Sequence, residues 1–172
     1  MDLDTAREVA AKFFSKSGDI KELAGERNPN FLVTTTHGKF VLKIHSSEEV
    51  SQIQIQQSAL AALEQVNKFQ TPTTVPDNSG ELLVDIGEGK FARMLTWIDG
   101  DLWSQSQDLG ESHKSQLGRL IATVDSKLAT VDCTSFRTTL DQPFGWNALQ
   151  AKELTADIAL IQDTELRAQV ST

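Results

Sequence analysis

Lys43 is the side chain with the most chemistry to offer. It stands in Val41-Leu42-Lys43-Ile44, where strand alternation sends it to the same face as Val41 and places an ammonium inside an otherwise apolar run. A lysine anchored on a sheet is a fixed point charge that can hold phosphate oxygens, whereas a solvated lysine whose stem covers apolar surface would have the same neighbours. Upstream lies Gly25-Glu26-Arg27-Asn28-Pro29-Asn30, a polar loop between two candidate strands. Its backbone N–H groups could fold over a phosphate, but an ordinary hairpin loop reads the same way, because it holds one glycine and neither a GxGxxG nor a Walker pattern.

Other chemistries have less support. His37, His45 and His113 are scattered, without the HxxxH or HExxH spacing that would set two metal ligands on one helix face. There is no GxSxG elbow, and Cys133, beside Asp132, has no base at hand, which disfavours hydrolase and thiol chemistry. As the sole cysteine it also excludes an intramolecular disulfide and any multi-cysteine zinc site. Trp97, Trp103 and Trp146 can serve as core or as pocket lining.

These residues need elements to position them. Ala6, Val9, Ala10, Phe13 and Phe14 have the spacing of an amphipathic helix over residues 4–16, stopped by Ser17-Gly18-Asp19. Strands follow at 20–24, 30–36 and 39–45, the last two joined by a tight His37-Gly38 turn. Ser46 and Glu49 form a capping-box signature, and the stretch to Val66 reads as a long helix with a wide buried face built on Ile53, Leu60 and Leu63 with Ile55, Ala59 and Ala62. Pro72 and Pro76 with Asn78-Ser79-Gly80 mark a loop, and residues 81–86 and 90–97 form a hairpin across Gly87-Glu88-Gly89. After Trp97 the composition shifts, and Ile98-Asp99-Gly100-Asp101 marks a boundary between packing units. Residues 112–131 carry a helical stripe through Leu117, Leu120, Ile121, Val124, Leu128 and Val131. Residues 134–146, with Pro143 and Gly145, read as a loop, and 147–170 as helix interrupted at Asp163-Thr164.

Composition bounds the answer. The 172 residues suffice for one domain or two small lobes, and 39% hydrophobic with 23% charged residues is the balance of a folded globular protein. Net charge −8 argues against nucleic acid as the main partner, which calls for concentrated Lys and Arg, but leaves room for a local basic spot. Apolar runs such as Phe40-Val41-Leu42 are far too short to span a membrane, and Met1-Asp2-Leu3-Asp4 lacks the basic start of a signal peptide. A cytoplasmic location is expected.

Several stretches in order, Leu23 to Val33, His37 to Ile44, Pro76, and Arg93-Met94-Leu95-Thr96-Trp97-Ile98-Asp99-Gly100, resemble the aminoglycoside phosphotransferase and choline kinase superfamily. Within it the likeness is closest to hydroxylysine-kinase-like phosphotransferases, including those fused to a class III, PLP-dependent aminotransferase. The resemblance implies an α+β fold: a kinase-like N-terminal lobe at residues 1–97, with a five-stranded antiparallel sheet and a long helix. Residues 98–172 would be the hinge and first helices of an incomplete C-terminal lobe. It further implies that ATP or GTP, with Mg2+, binds between the lobes. Lys43 would contact phosphates, the loop of Gly25, Glu26, Arg27, Asn28 and Asn30 would cover them, and Met94, Thr96 and Trp97 would form the hinge whose backbone holds the base.

Two departures from the family pattern matter. Where relatives carry a helix glutamate that pairs with the strand lysine, this chain has Gln56, which can accept a hydrogen bond from Lys43 but not form an ion pair, while Glu48 and Glu49 lie nearer the helix start. The H-x-D-x-x-x-x-N loop that supplies the catalytic aspartate and a magnesium ligand is absent, as is the later metal-binding aspartate, so no catalytic or metal-binding residue is assigned within the chain. The expectation is an N-terminal fragment of a small-molecule kinase, inactive alone, whose small-molecule acceptor is chosen elsewhere. Exposed apolar surface on its helices, around Leu120, Val124 and Ile158, would meet the rest of the protein or drive self-association. The rival expectation is a non-catalytic module that docks on an aminotransferase in the same polypeptide.

Overall fold

A computed structural model describes residues 1–25, 28–66, 68–106, 110–136 and 157–170. The chain divides into two compact units, Met1–Thr134 and Ser135–Thr172.

The first unit opens with α1, Leu3–Phe14. Asp2 caps it, its carboxylate accepting from the Thr5 N–H at 2.8 Å, and Ser15 ends it in the left-handed conformation at φ 52°. The loop at Asn78 completes that end. The Asn78 N–H donates to Phe13 O at 2.8 Å, its side-chain amide donates to Lys12 O at 2.9 Å, and its amide oxygen accepts from Ser15 Oγ at 2.7 Å. Two carbonyls that the last helical turn leaves without partners are thereby satisfied.

Six strands form one antiparallel sheet: β1 Asp19–Leu23, β2 Asn30–Thr35, β3 Gly38–Ser46, β4 Thr74–Val75, β5 Val84–Gly87 and β6 Lys90–Thr96. The order is β1-β2-β3-β6-β4, with β5 pairing the first half of β6 and β4 its end. This is the α+β lobe that the sequence implies, with one strand more than the five expected. The extra strand, β4, lies inside the stretch read as a loop between Pro72 and Pro76, where two residues pair with Leu95 and Met94. The β5 strand starts at Val84 rather than residue 81, and its pairing slips between Asp85 and Gly87. The turn beyond it holds Gly87, Glu88 and Gly89 all at positive φ, which explains the paired glycines there.

Register decides what each sheet face carries. Phe31, Leu42 and Met94 align across β2, β3 and β6, all fully buried. With Val33, Ile44 and Ala92 they form one apolar face, and Ala6, Val9, Ala10 and Phe14 of α1 close over it. At the edge of this arrangement Gly18 passes so near β2 that an added Cβ would lie 2.0 Å from Thr34 O.

After β3 a 3-10 turn, Ser47–Glu49, leads into α2, Val50–Glu64, and Glu49 reaches back to the Ser46 N–H at 3.0 Å and hydroxyl at 3.2 Å as the capping-box spacing predicts. The wide buried face expected of α2 is not there. Ile53 alone is buried, while Ile55, Ala59, Leu60, Ala62 and Leu63 are half-buried, since α2 packs mainly against the next helix along the chain and meets the sheet across a polar cavity lined by Gln52, Ile53 and Gln56. The helix α3, Glu111–Leu128, has no buried residue, and Leu117, Leu120 and Ile121 of its apolar stripe are exposed; Val124 is half-buried. No helix among the described residues is long and apolar enough to cross a membrane.

The second unit is described at residues 135, 136 and 157–170. After a 3-10 turn at 157–160, Asp163 caps α4, Thr164–Val170, accepting from the backbone N–H groups of Glu165 and Leu166 at 2.9 and 3.0 Å. The interruption expected at Asp163-Thr164 is thus a helix start. The loop and helix expected over 137–156 lie outside the described residues.

Candidate functional site

One residue along each strand from the apolar row lies a second row. Asn30 pairs with Lys43 and Lys43 with Arg93, so amide, ammonium and guanidinium stand side by side on the face opposite α1. His45 follows on the same face two residues beyond Lys43. With Asn28, Glu49, Gln52, Ile53 and Gln56 these residues line a cavity of about 370 Å³ between the sheet, the loop after Gly25 and the start of α2.

Asn28 ties the loop into place. Its side-chain nitrogen donates to Glu49 Oε1 at 2.8 Å, which orients the amide, and lies 3.2 Å from His45 Nδ1. An amide nitrogen has only protons to offer, so Nδ1 accepts and the imidazole proton is on Nε2, which is buried without a partner. Burial pushes the His45 pKa down to about 4, with the charges of Arg93 and Lys43 adding to the effect and Glu49 opposing it. Burial alone would raise the Glu49 pKa, but hydrogen bonds from Asn28 and Ser46 outweigh it and hold the carboxyl below its ordinary value. Gly25 is required for the loop's path. A Cβ there would lie 2.4 Å from the Asn30 amide nitrogen and 2.7 Å from Asn28 O, and that amide already donates to the same carbonyl at 2.9 Å.

The cations are less well provided for. Lys43, half-buried, makes no hydrogen bond or ion pair among the described residues, and burial and then the charge of Arg93 lower its pKa. Arg93 is only 3% exposed, yet Nε and Nη1 have no partner among the described residues; Nη2 donates to Gln56 Oε1. Burial lowers its pKa, and Glu49 partly restores it. Buried donors without acceptors are costly, and two of them on a cation beside a second cation describe a site shaped for an anion. The chain's overall charge of −8 makes this positive spot a local feature.

The structure therefore brings together Lys43, Asn28, Asn30 and Gln56, with Gly25 forming the loop beside them. Glu26 and Arg27 lie outside the described residues. Gln56 accepts from Arg93 rather than from Lys43, which corrects the pairing expected for it. The other three expected residues lie elsewhere. Met94 is buried in the apolar core. Thr96 and Trp97 border a separate cavity of about 340 Å³ with Val66, Phe69 and Thr73. Their backbone N–H groups are engaged in the sheet, Thr96 with Thr73 O at 2.9 Å and Trp97 with Lys39 O at 3.0 Å. Asp99 clamps this corner, accepting from Lys39 Nζ at 2.6 Å and Trp97 Nε1 at 3.0 Å.

Sequence reasoning missed Arg93, His45 and Glu49 as site residues. For Arg93 a signal exists: Ala92-Arg93-Met94-Leu95 sets a charge in an apolar strand just as Val41-Leu42-Lys43-Ile44 does. Among the described residues no group of three or more His, Cys, Asp or Glu could hold a metal ion.

A twisted antiparallel sheet with a helix beyond its third strand and a cationic pocket under that helix is the small lobe of a kinase-like fold. The chain belongs to the phosphotransferase enzyme family, APH, whose profile matches residues 19–170. Among solved structures, a microcompartment-associated aminopropanol kinase matches with TM-score 0.56 at 20% identity, over 73% of this chain and 40% of that one. Spectinomycin phosphotransferase APH(9)-Ia, in complex with ADP and spectinomycin, matches with TM-score 0.57 at 10% identity, over 93% of this chain and 55% of that one. An aminoglycoside-phosphotransferase-type structure from Ralstonia eutropha matches with TM-score 0.54 at 15% identity, over 91% and 47%. The chain thus spans about half the length of these structures. No curated protein matches it.

Proposed function

We propose that the chain is the nucleotide-binding part of a small-molecule phosphotransferase that moves the terminal phosphoryl group of ATP or GTP to a hydroxyl on an amino-acid- or aminoglycoside-like acceptor. The observation that carries this reading is a Lys43 ammonium and buried Arg93 donors, both without partners among the described residues, in a cavity large enough for phosphates. In this reading residues 1–97 are the small lobe, 98–172 begin the large one, and Gly25 to Asn30 cover the phosphates. Magnesium, when bound, would neutralise charge between phosphoryl oxygens. The 172 residues contain neither the H-x-D-x-x-x-x-N loop nor its aspartate, so on their own they bind without turnover. The hydroxylysine-kinase-like subgroup and a fused aminotransferase belong to this proposal, as does a cytoplasmic location.

The test is calorimetric titration of residues 1–172 with magnesium-ATP and magnesium-GTP. Saturable binding that Lys43→Ala weakens at least tenfold is expected. No binding up to millimolar nucleotide would overturn the reading and favour the rival, a non-catalytic docking module, which the exposed Leu117, Leu120 and Ile121 on α3 would serve.

A further inference from the structure

Among the described residues the cavity under α2 holds two cations, Lys43 and Arg93, and one carboxylate, and the carboxylate is committed elsewhere. Glu49 takes hydrogen bonds from Asn28 and from both the N–H and hydroxyl of Ser46. Among the described residues neither Lys43 nor Arg93 has a hydrogen-bonded acid, and their strands set them directly opposite each other, with Cβ atoms about 5 Å apart by the geometry of antiparallel pairs. Each disfavours the other's charge. Such a pair is retained against its own repulsion where something negative completes it.

The role of Gln56 follows. Its amide oxygen accepts one N–H of the guanidinium and so fixes the direction of the fork, but it brings no charge. A glutamate in its place would hold Arg93 as tightly and cancel it. The two guanidinium nitrogens left over, Nε and Nη1, retain their capacity to donate. A guanidinium matches a phosphate through paired N–H groups, whereas an ammonium acts as a point charge, so the two side chains suit neighbouring phosphoryl groups rather than one shared oxygen.

Resting on the nucleotide reading above, we infer that Arg93 is a second phosphate-binding residue. Arg93 and Lys43 together cradle two adjacent phosphoryl groups, and Gln56 orients Arg93 without neutralising it. Gln56 is then a working part of the site, because it fixes the guanidinium and leaves its charge for the ligand.

The experiment uses tripolyphosphate and magnesium-ATP as probes, titrated into wild type, Lys43→Ala, Arg93→Lys, Arg93→Met and Gln56→Glu, with thermal denaturation of each protein alone. The expected result is that Arg93→Met weakens both probes at least tenfold and Arg93→Lys less, because Lys keeps the charge and loses the fork. Gln56→Glu is the sharper variant, since it leaves Arg93 in place. Weakening of tripolyphosphate binding by about tenfold, with an unchanged or higher melting temperature, supports the inference. Unchanged or tighter binding by Gln56→Glu, as an acid paired with Lys43 would produce, overturns it. If Lys43→Ala weakens binding while folded Arg93→Lys and Gln56→Glu stay within twofold of wild type, the nucleotide reading stands and the role of Arg93 falls. If wild type binds neither probe, the nucleotide reading itself falls.

Discussion

The two faces of the sheet are built from the same strands one residue out of phase, and they obey different rules. Phe31, Leu42 and Met94 form a row that is fully buried and covered by α1. Asn30, Lys43 and Arg93 form the adjacent row, facing α2 across a cavity. The first face gains stability from apolar area removed from water. The second leaves buried polar atoms of Asn30, His45 and Arg93 without partners among the described residues, which is a stability cost in the free protein. Strands fixed by the first face hold the cations of the second at a set spacing that the cations would not choose.

The comparison breaks most sharply between neighbours in sequence. Leu42→Ala is expected to cost about 3 kcal/mol, through lost burial and the cavity left behind. Lys43→Met, one residue on, should change stability by less than about 1 kcal/mol, because it removes a partly desolvated charge that repels Arg93. Denaturant titration of both variants checks the contrast, and equal losses would erase it.

Acid sharpens the same distinction, because the apolar face has nothing to titrate. His45 drops from an ordinary 6.5 to about 4 in the fold, so below pH 6.5 the unfolded chain binds the extra proton. Its contribution is complete above pH 6.5 and lost as pH falls to 4, amounting to on the order of 3 kcal/mol. Arg93, Lys43 and Glu49 are the charged groups that face it, and Glu49, with its lowered pKa, adds to the loss only at lower pH. Unfolding midpoints of wild type measured between pH 7 and 4 should fall steeply, and those of His45→Gln should fall less; parallel curves would remove His45 as the cause.

A smaller effect is expected from Asn28→Ala, about 1 to 2 kcal/mol, from loss of the bonds to Glu49 and His45. Limited proteolysis should then cut the loop near Gly25 faster than in wild type. An unchanged cleavage rate would mean that Asn28 does not hold the loop.

Much of the fold is legible in the sequence because local pattern and burial agree. The i, i+3, i+4 spacing through Ala6, Val9, Ala10 and Phe14 names both the extent of α1 and the face it buries. Alternation in β2 and β3 names the apolar face, and with it the face of Lys43. The strand β4 escapes such reading, since Thr74 and Val75 have no period of their own and are strand only because β6 offers them partners. The buried face expected of α2 fails for the complementary reason: apolar residues predict burial only where another element packs closely on them, and α2 meets the sheet across a cavity. The site divides in the same way. Lys43 and the Gly25 loop are visible as local oddities, while the pairing of Arg93 with Lys43 is a matter of register between strands some fifty residues apart. The partnership of Gln56 with Arg93 depends on where α2 settles.

The clasp on α1 also sets an order in time. Its far end is closed by Asn78, and its buried face rests on residues up to Met94, so 94 − 14 = 80 residues must follow Phe14 out of the ribosome before the helix has its full support. At ~5–20 residues per second that is roughly 4 to 16 seconds. Nascent chains halted at Gly80 should therefore expose Phe13 and Phe14 to protease, and chains halted well past Trp97 should protect them. This helix, made before the strands that support it, is completed only when β6 arrives, and until then its apolar face is the part of the unit most apt to stick to something else.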